Sequence, residues 1–420
     1  MSDRPRAAIL RTGSELARGS IRDSNGPFLA RELTRLGLEP ARWILVGDAP
    51  EELEAALHEA LRADLCVVSG GLGPTHDDRT VDLLARATGR ALRVDPGLEQ
   101  EIDAVARAVA ARLGRPDAEL ATGVRKQASL PEGAVSLGLA GTAPALLLEH
   151  AEGRVAVTLP GPPGELRRLW PRVLEAEPVR ALARRARRRE QRILRFFAVP
   201  EAAVAQAVAR AGGEGEGLEV TICARNFELE VDLLVSSGGE ARAGAVEEAL
   251  VAGFGDALFA RDERSVAALV LDRCRELGLT LATAESCTGG LVGARLTDVP
   301  GASDVYLGGV VAYANEVKAA RLGVGEDVLA RHGAVSEETA RAMAAGARAA
   351  LGADVGIAVT GVAGPGGGTA EKPVGLVHVA AEGPGGATAR EFRFPGDREE
   401  IRERAVVMAL HEARTLLARL

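Results

Sequence analysis

Short apolar runs that stop on glycine-rich or hydroxyl-rich turns, and then give way to helical spacing, recur along this chain and leave few folds open. Ala7-Ala8-Ile9-Leu10, Trp43-Ile44-Leu45-Val46 and Leu65-Cys66-Val67-Val68-Ser69 read as strands, and Gly26 to Leu36 and Pro50 to Leu61 read as the helices between them. Strands alternating with helices of this length predict a parallel, doubly wound sheet. Ligands then bind outside the carboxyl ends of the strands. At 420 residues the chain exceeds one ordinary core, so an α/β protein of two or three domains is expected.

Composition removes several function classes. A net charge of −8 lacks the basic footprint of a nucleic-acid binder. No apolar run spans a bilayer, and Met1 to Arg6 leads straight into a strand without a signal-peptide core, so a cytoplasmic protein is expected. Cys66, Cys223, Cys274 and Cys287 lack paired spacing, which suggests neither a disulfide framework nor a zinc site. There are three lysines against 48 arginines. A lysine that persists in such a chain is expected where arginine cannot serve, as a compact ammonium able to lose its proton. The three are Lys126, Lys318 and Lys372.

In the first domain, residues 1–170, the strand Leu65 to Ser69 ends in Gly70-Gly71-Leu72-Gly73-Pro74-Thr75, followed by His76-Asp77-Asp78. The glycines admit a ligand to the backbone and the next helix offers N–H groups to a phosphate. Asp77 and Asp78 are hard oxygen ligands for a divalent metal, with one aspartate capping the helix as the structural alternative. Residues 171–262 hold an arginine run, Arg180 to Arg192, expected as a solvated helix or linker. A β-α-β-β-α-β order follows and predicts a small ferredoxin-like spacer domain. In the last domain, residues 263–420, the run Leu279 to Ala284 breaks at Glu285-Ser286-Cys287-Thr288-Gly289-Gly290 before helical spacing resumes at Leu291. That is a strand–turn–helix, read either as a capped turn or as a site. Tyr313, Asn315 and Lys318 put three scarce residue types within six positions, and Val355 to Thr360 ends in a glycine loop, Gly361 to Thr369.

Together, Gly70 to Thr75, Arg125-Lys126-Gln127, Leu130 to Gly133, Gly141-Thr142-Ala143-Pro144 and Leu159 to Leu166 resemble the molybdopterin-binding-like domain of the competence/damage-inducible CinA family. The family's usual Gly-Asp-Glu-Leu-Leu opening stands here as Gly13-Ser14-Glu15-Leu16-Ala17, and Ala145 replaces a glycine. Ala284 to Gly290, Ala312 to Lys318, Thr360 to Pro365 and Gly368-Thr369 to Gly375 closely resemble the CinA C-terminal domain, whose members are nicotinamide-nucleotide amidases. For the first domain the resemblance implies a metal-dependent ADP-ribose pyrophosphatase using Gly70, Gly71, Gly73, Pro74, Thr75, Asp77, Asp78 and Lys126. For the last it implies hydrolysis of nicotinamide mononucleotide to nicotinate mononucleotide and ammonia, in pyridine-nucleotide recycling. It also favours a homodimer.

The residues supply parts for the amidase. Ser286 is the candidate nucleophile, with Cys287 as its more reactive rival. Lys318, if desolvated, is the base, and Tyr313 would relay the proton or hold the amide. N–H groups around Thr288, Gly289 and Gly290 would receive the oxyanion. Glu285 and Asn315 complete the expected substrate contacts. The loop carrying Thr360, Gly361, Gly364 and Pro365, with Arg398 or Arg402, would hold the phosphate. Such a pair needs no metal or cofactor. A nucleotide sensor without turnover, and a pterin-cofactor-binding module, are the alternatives from other classes.

Overall fold

Strand β1 (Arg6–Thr12) sends Ala7 and Ile9 to one face of its sheet and Ala8 and Leu10 to the other, and all four are buried. A strand buried on both faces belongs inside a three-layer α/β sandwich. The computed structural model describes residues 4–113, 120–186 and 189–420, divided between two units, Met1–Arg189 and Glu190–Leu420.

The first unit also contains β2 (Glu39–Val46), β3 (Leu65–Ser69), β4 (Leu92–Val94), β5 (Ser129–Pro131), β6 (Ala134–Leu139), β7 (Pro144–His150) and β8 (Arg154–Leu159). Its main sheet runs β2-β1-β3-β8-β7-β6, while β4 and β5 pair separately. The expected parallel sheet is found only from β2 to β8. The pairs β7–β8 and β6–β7 are antiparallel. Connections as short as those between β6 and β7, or β7 and β8, close hairpins, whereas a parallel crossover needs a dozen residues or more.

The first unit extends past residue 170. Helix Glu177–Arg185 turns Val179 and Leu182 into the same core as Trp170 and Val173, so the start of the arginine run is packed on one side. Residues 187–188 of that run lie outside the described residues, as do residues 1–3.

The second unit begins with β9 (Glu190–Phe197), β10 (Leu218–Arg225), β11 (Glu228–Val235) and β12 (Leu258–Ala260). Their order β10-β11-β9-β12, antiparallel throughout, is the ferredoxin-like arrangement. Leu229, Val231, Leu233 and Val235 point inward in alternation, against helices Glu201–Arg210 and Glu240–Phe254.

The last sheet comprises β13 (Leu281–Glu285), β14 (Tyr306–Val311), β15 (Val355–Gly361), β16 (Leu376–Gly383) and β17 (Gly386–Arg393), ordered β14-β13-β15-β16-β17. The central strand β13 is parallel to both neighbours. Leu281, Ile357, Val359, Val377 and Val379 face helices Val266–Leu277 and Arg398–Leu417. On the opposite face, Ala282, Ala284, Ala358 and Ala380 lie under helix Glu337–Leu351. Small residues let that helix come close, and a Cβ on Gly356 would meet the Ala344 carbonyl oxygen at 2.2 Å. The ferredoxin-like and last domains are joined within the unit: the His411 ring stacks on Phe197 at 3.7 Å. Among the described residues no helix is long and apolar enough to cross a membrane.

Candidate active site

Ser286 is the first residue beyond β13, and its N–H donates to the Val359 carbonyl at 2.9 Å, which ties the turn to the end of β15. The next strand end on the other side arrives through Ala312, whose N–H donates to the Glu285 carbonyl at 2.8 Å. Helix Asn315–Leu322 starts just beyond and carries Lys318 inward. Lys318 is 1% exposed. Its Nζ donates to Ser286 Oγ at 3.1 Å, to the Ala312 carbonyl at 2.9 Å and to the Tyr313 carbonyl at 3.1 Å. Three acceptors match the three donors of an ammonium. Burial nevertheless pushes the Lys318 pKa below its ordinary value, against the opposing pull of Glu316. The structure thus brings Ser286 and Lys318, 32 positions apart in the chain, into hydrogen-bond contact.

Cys287 is turned the other way. It sits in the apolar cluster with Val266, Val292 and Ile401. Burial pushes its thiol up to about 12, so it is un-ionised at neutral pH. The rival nucleophile is thus a core residue.

Other expected roles change. Glu285 is buried, and its carboxylate accepts from the N–H groups of Gly290 at 2.9 Å, Val292 at 3.0 Å and Gly293 at 2.8 Å. It caps the following helix from within and is not presented to substrate. Gly290 is consequently unavailable as an oxyanion donor, and the Gly289 N–H is engaged with the Ser286 carbonyl at 3.1 Å. Of the three expected donors, only the Thr288 N–H has no acceptor among the described residues. The Thr288 side chain itself is fully buried.

Arg402 donates through Nε to the Cys287 carbonyl at 3.1 Å and through Nη2 to the Thr288 carbonyl at 2.8 Å. C=O and N–H of one peptide plane point in opposite directions. Drawing the Cys287 carbonyl toward Arg402 therefore turns the Thr288 N–H away from it. Arg402 braces the turn, whereas Arg398, at the start of helix Arg398–Leu417, is exposed.

Arg398 donates to the Gly364 carbonyl at 2.6 Å and to the Tyr313 hydroxyl at 2.8 Å. Tyr313 thus meets Lys318 through its carbonyl and Arg398 through its phenol, and its side chain is 59% exposed at the rim. Asn315 is exposed at the first turn of its helix. Thr360 is buried and gives its hydroxyl to the Ala334 carbonyl at 2.6 Å, which removes it as a phosphate donor. Gly361 ends β15, Gly364 is buried and Pro365 is exposed. Lys372 donates to the His332 carbonyl at 2.6 Å and takes no part in the dyad.

In the first unit, Gly70, Gly71, Gly73, Asp77 and Asp78 line a cavity of 480 Å³ at the strand ends. Pro74, Thr75 and Lys126 border a neighbouring cavity of 460 Å³ on the other side of the loop. The aspartates are directed at their own turn. Asp78 accepts from the Thr75 N–H at 3.0 Å and its hydroxyl at 2.6 Å, and Asp77 also accepts from that hydroxyl. The Thr75 hydroxyl holds the Asp77 carboxyl below the usual range. Lys126 donates to the Thr75 carbonyl. No group of three or more His, Cys, Asp or Glu side chains able to hold a metal forms among the described residues. Asp77 and Asp78 would be the two carboxylates that a divalent ion beside a bound phosphate could use.

Sequence reasoning missed Arg11 and Glu165 in this cavity. Arg11 is 3% exposed and pairs with Asp23 at 3.1 Å. An arginine at the end of an otherwise apolar strand was the available signal. Burial raises the Glu165 carboxyl above its ordinary value, and nothing in its local sequence marks that.

The fold and the two strand ends define a multidomain α/β protein with one doubly wound domain and one domain in which a buried lysine meets a serine hydroxyl. Family models give the same division: a probable molybdopterin binding domain matches residues 8–179 and the CinA C-terminal domain matches residues 263–417. A CinA-like protein of Mycolicibacterium gilvum is 42% identical, covering 98% of this chain and 99% of the relative. Another, from Mycobacterium avium, is 43% identical and covers 98% of both. Among solved structures, the competence/damage inducible protein CihA from Agrobacterium tumefaciens is 43% identical, covers 38% of this chain and 99% of its own, and superposes with a TM-score of 0.35. The chain belongs to the CinA family.

Proposed function

We propose that the last domain is an amidohydrolase acting on nicotinamide mononucleotide, releasing ammonia and nicotinate mononucleotide. The observation that carries this reading is the buried Lys318 ammonium 3.1 Å from Ser286 Oγ, with burial favouring loss of its proton. In the neutral form Lys318 takes the Ser286 proton as Oγ bonds to the carboxamide carbon. The oxyanion develops toward the Thr288 N–H, a donor of a kind worth about 3 kcal/mol. Lys318 then returns the proton to the departing nitrogen as the C–N bond breaks, leaving an ester on Ser286 and free ammonia. Water, deprotonated by the same lysine, cleaves the ester to the acid. Arg398 at the rim supplies the charge for the substrate phosphate, with the Gly364–Pro365 segment beside it.

The test is ammonia release from nicotinamide mononucleotide by the full chain, with and without a chelator. Turnover in both supports the reading. Saturable binding without ammonia would make the protein a sensor instead.

The first unit supports less. Its cavity has the volume of a nucleotide site. Among the described residues its aspartates belong to no group of three or more metal-ligating side chains, so an ADP-ribose pyrophosphatase activity there would depend on a metal held by one or two carboxylates and the substrate phosphates.

A further inference from the structure

Glu285 is a buried carboxylate that forms no ion pair among the described residues. It is 2% exposed, and its hydrogen-bond partners are the three N–H groups of Gly290, Val292 and Gly293. A helix start leaves four N–H groups without partners, so one side chain satisfies most of that set. Glu285 also ends β13, where its carbonyl accepts from Ala312. Its backbone therefore fixes one end of the segment Ser286–Gly290 and its side chain fixes the other. Within that closed segment lie the nucleophile and the Thr288 N–H. Arg402 holds the intervening carbonyls from outside.

We infer that Glu285 is a positioning residue for the serine centre: by closing the turn on itself, it sets Ser286 Oγ against Lys318 and withholds the helix N–H groups, which leaves the N–H groups inside the turn, that of Thr288 among them, to meet the oxyanion. This rests on the amidase reading of Ser286. The geometry is demanding, because both carboxylate oxygens are used. An amide in place of the carboxylate keeps one acceptor and turns an NH₂ group toward N–H donors, which forces the turn to shift. A displacement of about 1 Å at a reacting centre costs about 100-fold in rate.

The experiment compares Glu285→Gln with the native chain in two assays. One is steady-state hydrolysis of nicotinamide mononucleotide. The other is the rate of covalent labelling of Ser286 by diisopropyl fluorophosphate, which reads the nucleophile without assuming a substrate. For folded Glu285→Gln, verified by its melting curve, kcat and the labelling rate should both fall about 100-fold while KM stays within about twofold. A residue that merely stabilises the fold would leave the labelling rate of folded molecules unchanged, and that result overturns the inference. Should Glu285→Gln fail to fold, Glu285→Asp, which keeps the charge and shortens the reach, must show the same parallel loss, and wild-type rates in it overturn the inference equally. If native Ser286 is not labelled at all, the serine reading fails first and the inference with it. Labelling without ammonia release separates a wrong substrate from a wrong centre.

Discussion

The turn after β13 and the turn after β3 are built to one plan: a buried parallel strand, a glycine-bearing bend, acidic residues, then a helix. They differ in where the polar groups go. In the last domain the acid is buried and answers to backbone N–H groups, and a lysine from the next strand crossing reaches the serine hydroxyl. In the first unit Asp77 and Asp78 both turn back to Thr75, two or three residues away, and the nearby lysine bonds the Thr75 carbonyl. At the proposed serine centre groups distant in sequence converge on a strand end. Local hydrogen bonds consume the same chemistry.

Substitutions that should separate the two turns begin with Ser286→Ala. It should lower amide hydrolysis by about 10⁴-fold or more, whereas Asp77→Asn should leave ammonia release and the melting temperature unchanged. Equal losses from both would erase the distinction. Lys318→Arg comes next, with a loss of about 10³-fold, since guanidinium cannot act as the base. In the native chain kcat/KM should rise with pH and level off above the Lys318 pKa, because the charged form is inactive and burial brings that pKa down. A rate that falls from about pH 7 to 9 would remove lysine as the base. Arg398→Ala should raise KM about 10-fold or more with a smaller change in kcat, the value of a charge-assisted hydrogen bond to phosphate. Substrate lacking the phosphate should be indifferent to that change. The smallest effect belongs to Cys287→Ala: activity within about fivefold of native, because the thiol is packed in the core and un-ionised. Abolished activity there, with Ser286→Ala still active, would exchange the two roles.

Much of this was legible in the sequence. The rarity of lysine marked Lys318, and the strand–turn–helix marked Ser286, because both signals arise from local chemistry. The ferredoxin-like domain was readable from strict alternation in β11. What could not be read was which hydrogen bonds are already taken. Glu285, Arg402 and Thr360 look like ligand-binding residues in a one-dimensional listing of polar types, yet each is engaged by a carbonyl or N–H brought in by tertiary structure. The antiparallel edge of the first sheet was missed for a related reason, since apolar runs do not declare direction. That the first unit's core continues past residue 170 was hidden because arginines flank the buried Val179 and Leu182.

Each of the three lysines donates to a main-chain carbonyl: Lys126 to Thr75, Lys318 to Ala312 and Tyr313, Lys372 to His332. Chemically, the surface is therefore almost bare of side-chain amines. An acylating reagent would find Lys126 and Lys372, both half-buried, well before Lys318, which is reached only when the last domain opens. Lysine modification, usually a crude average over dozens of positions, would here report the state of the reacting centre from a single slow site.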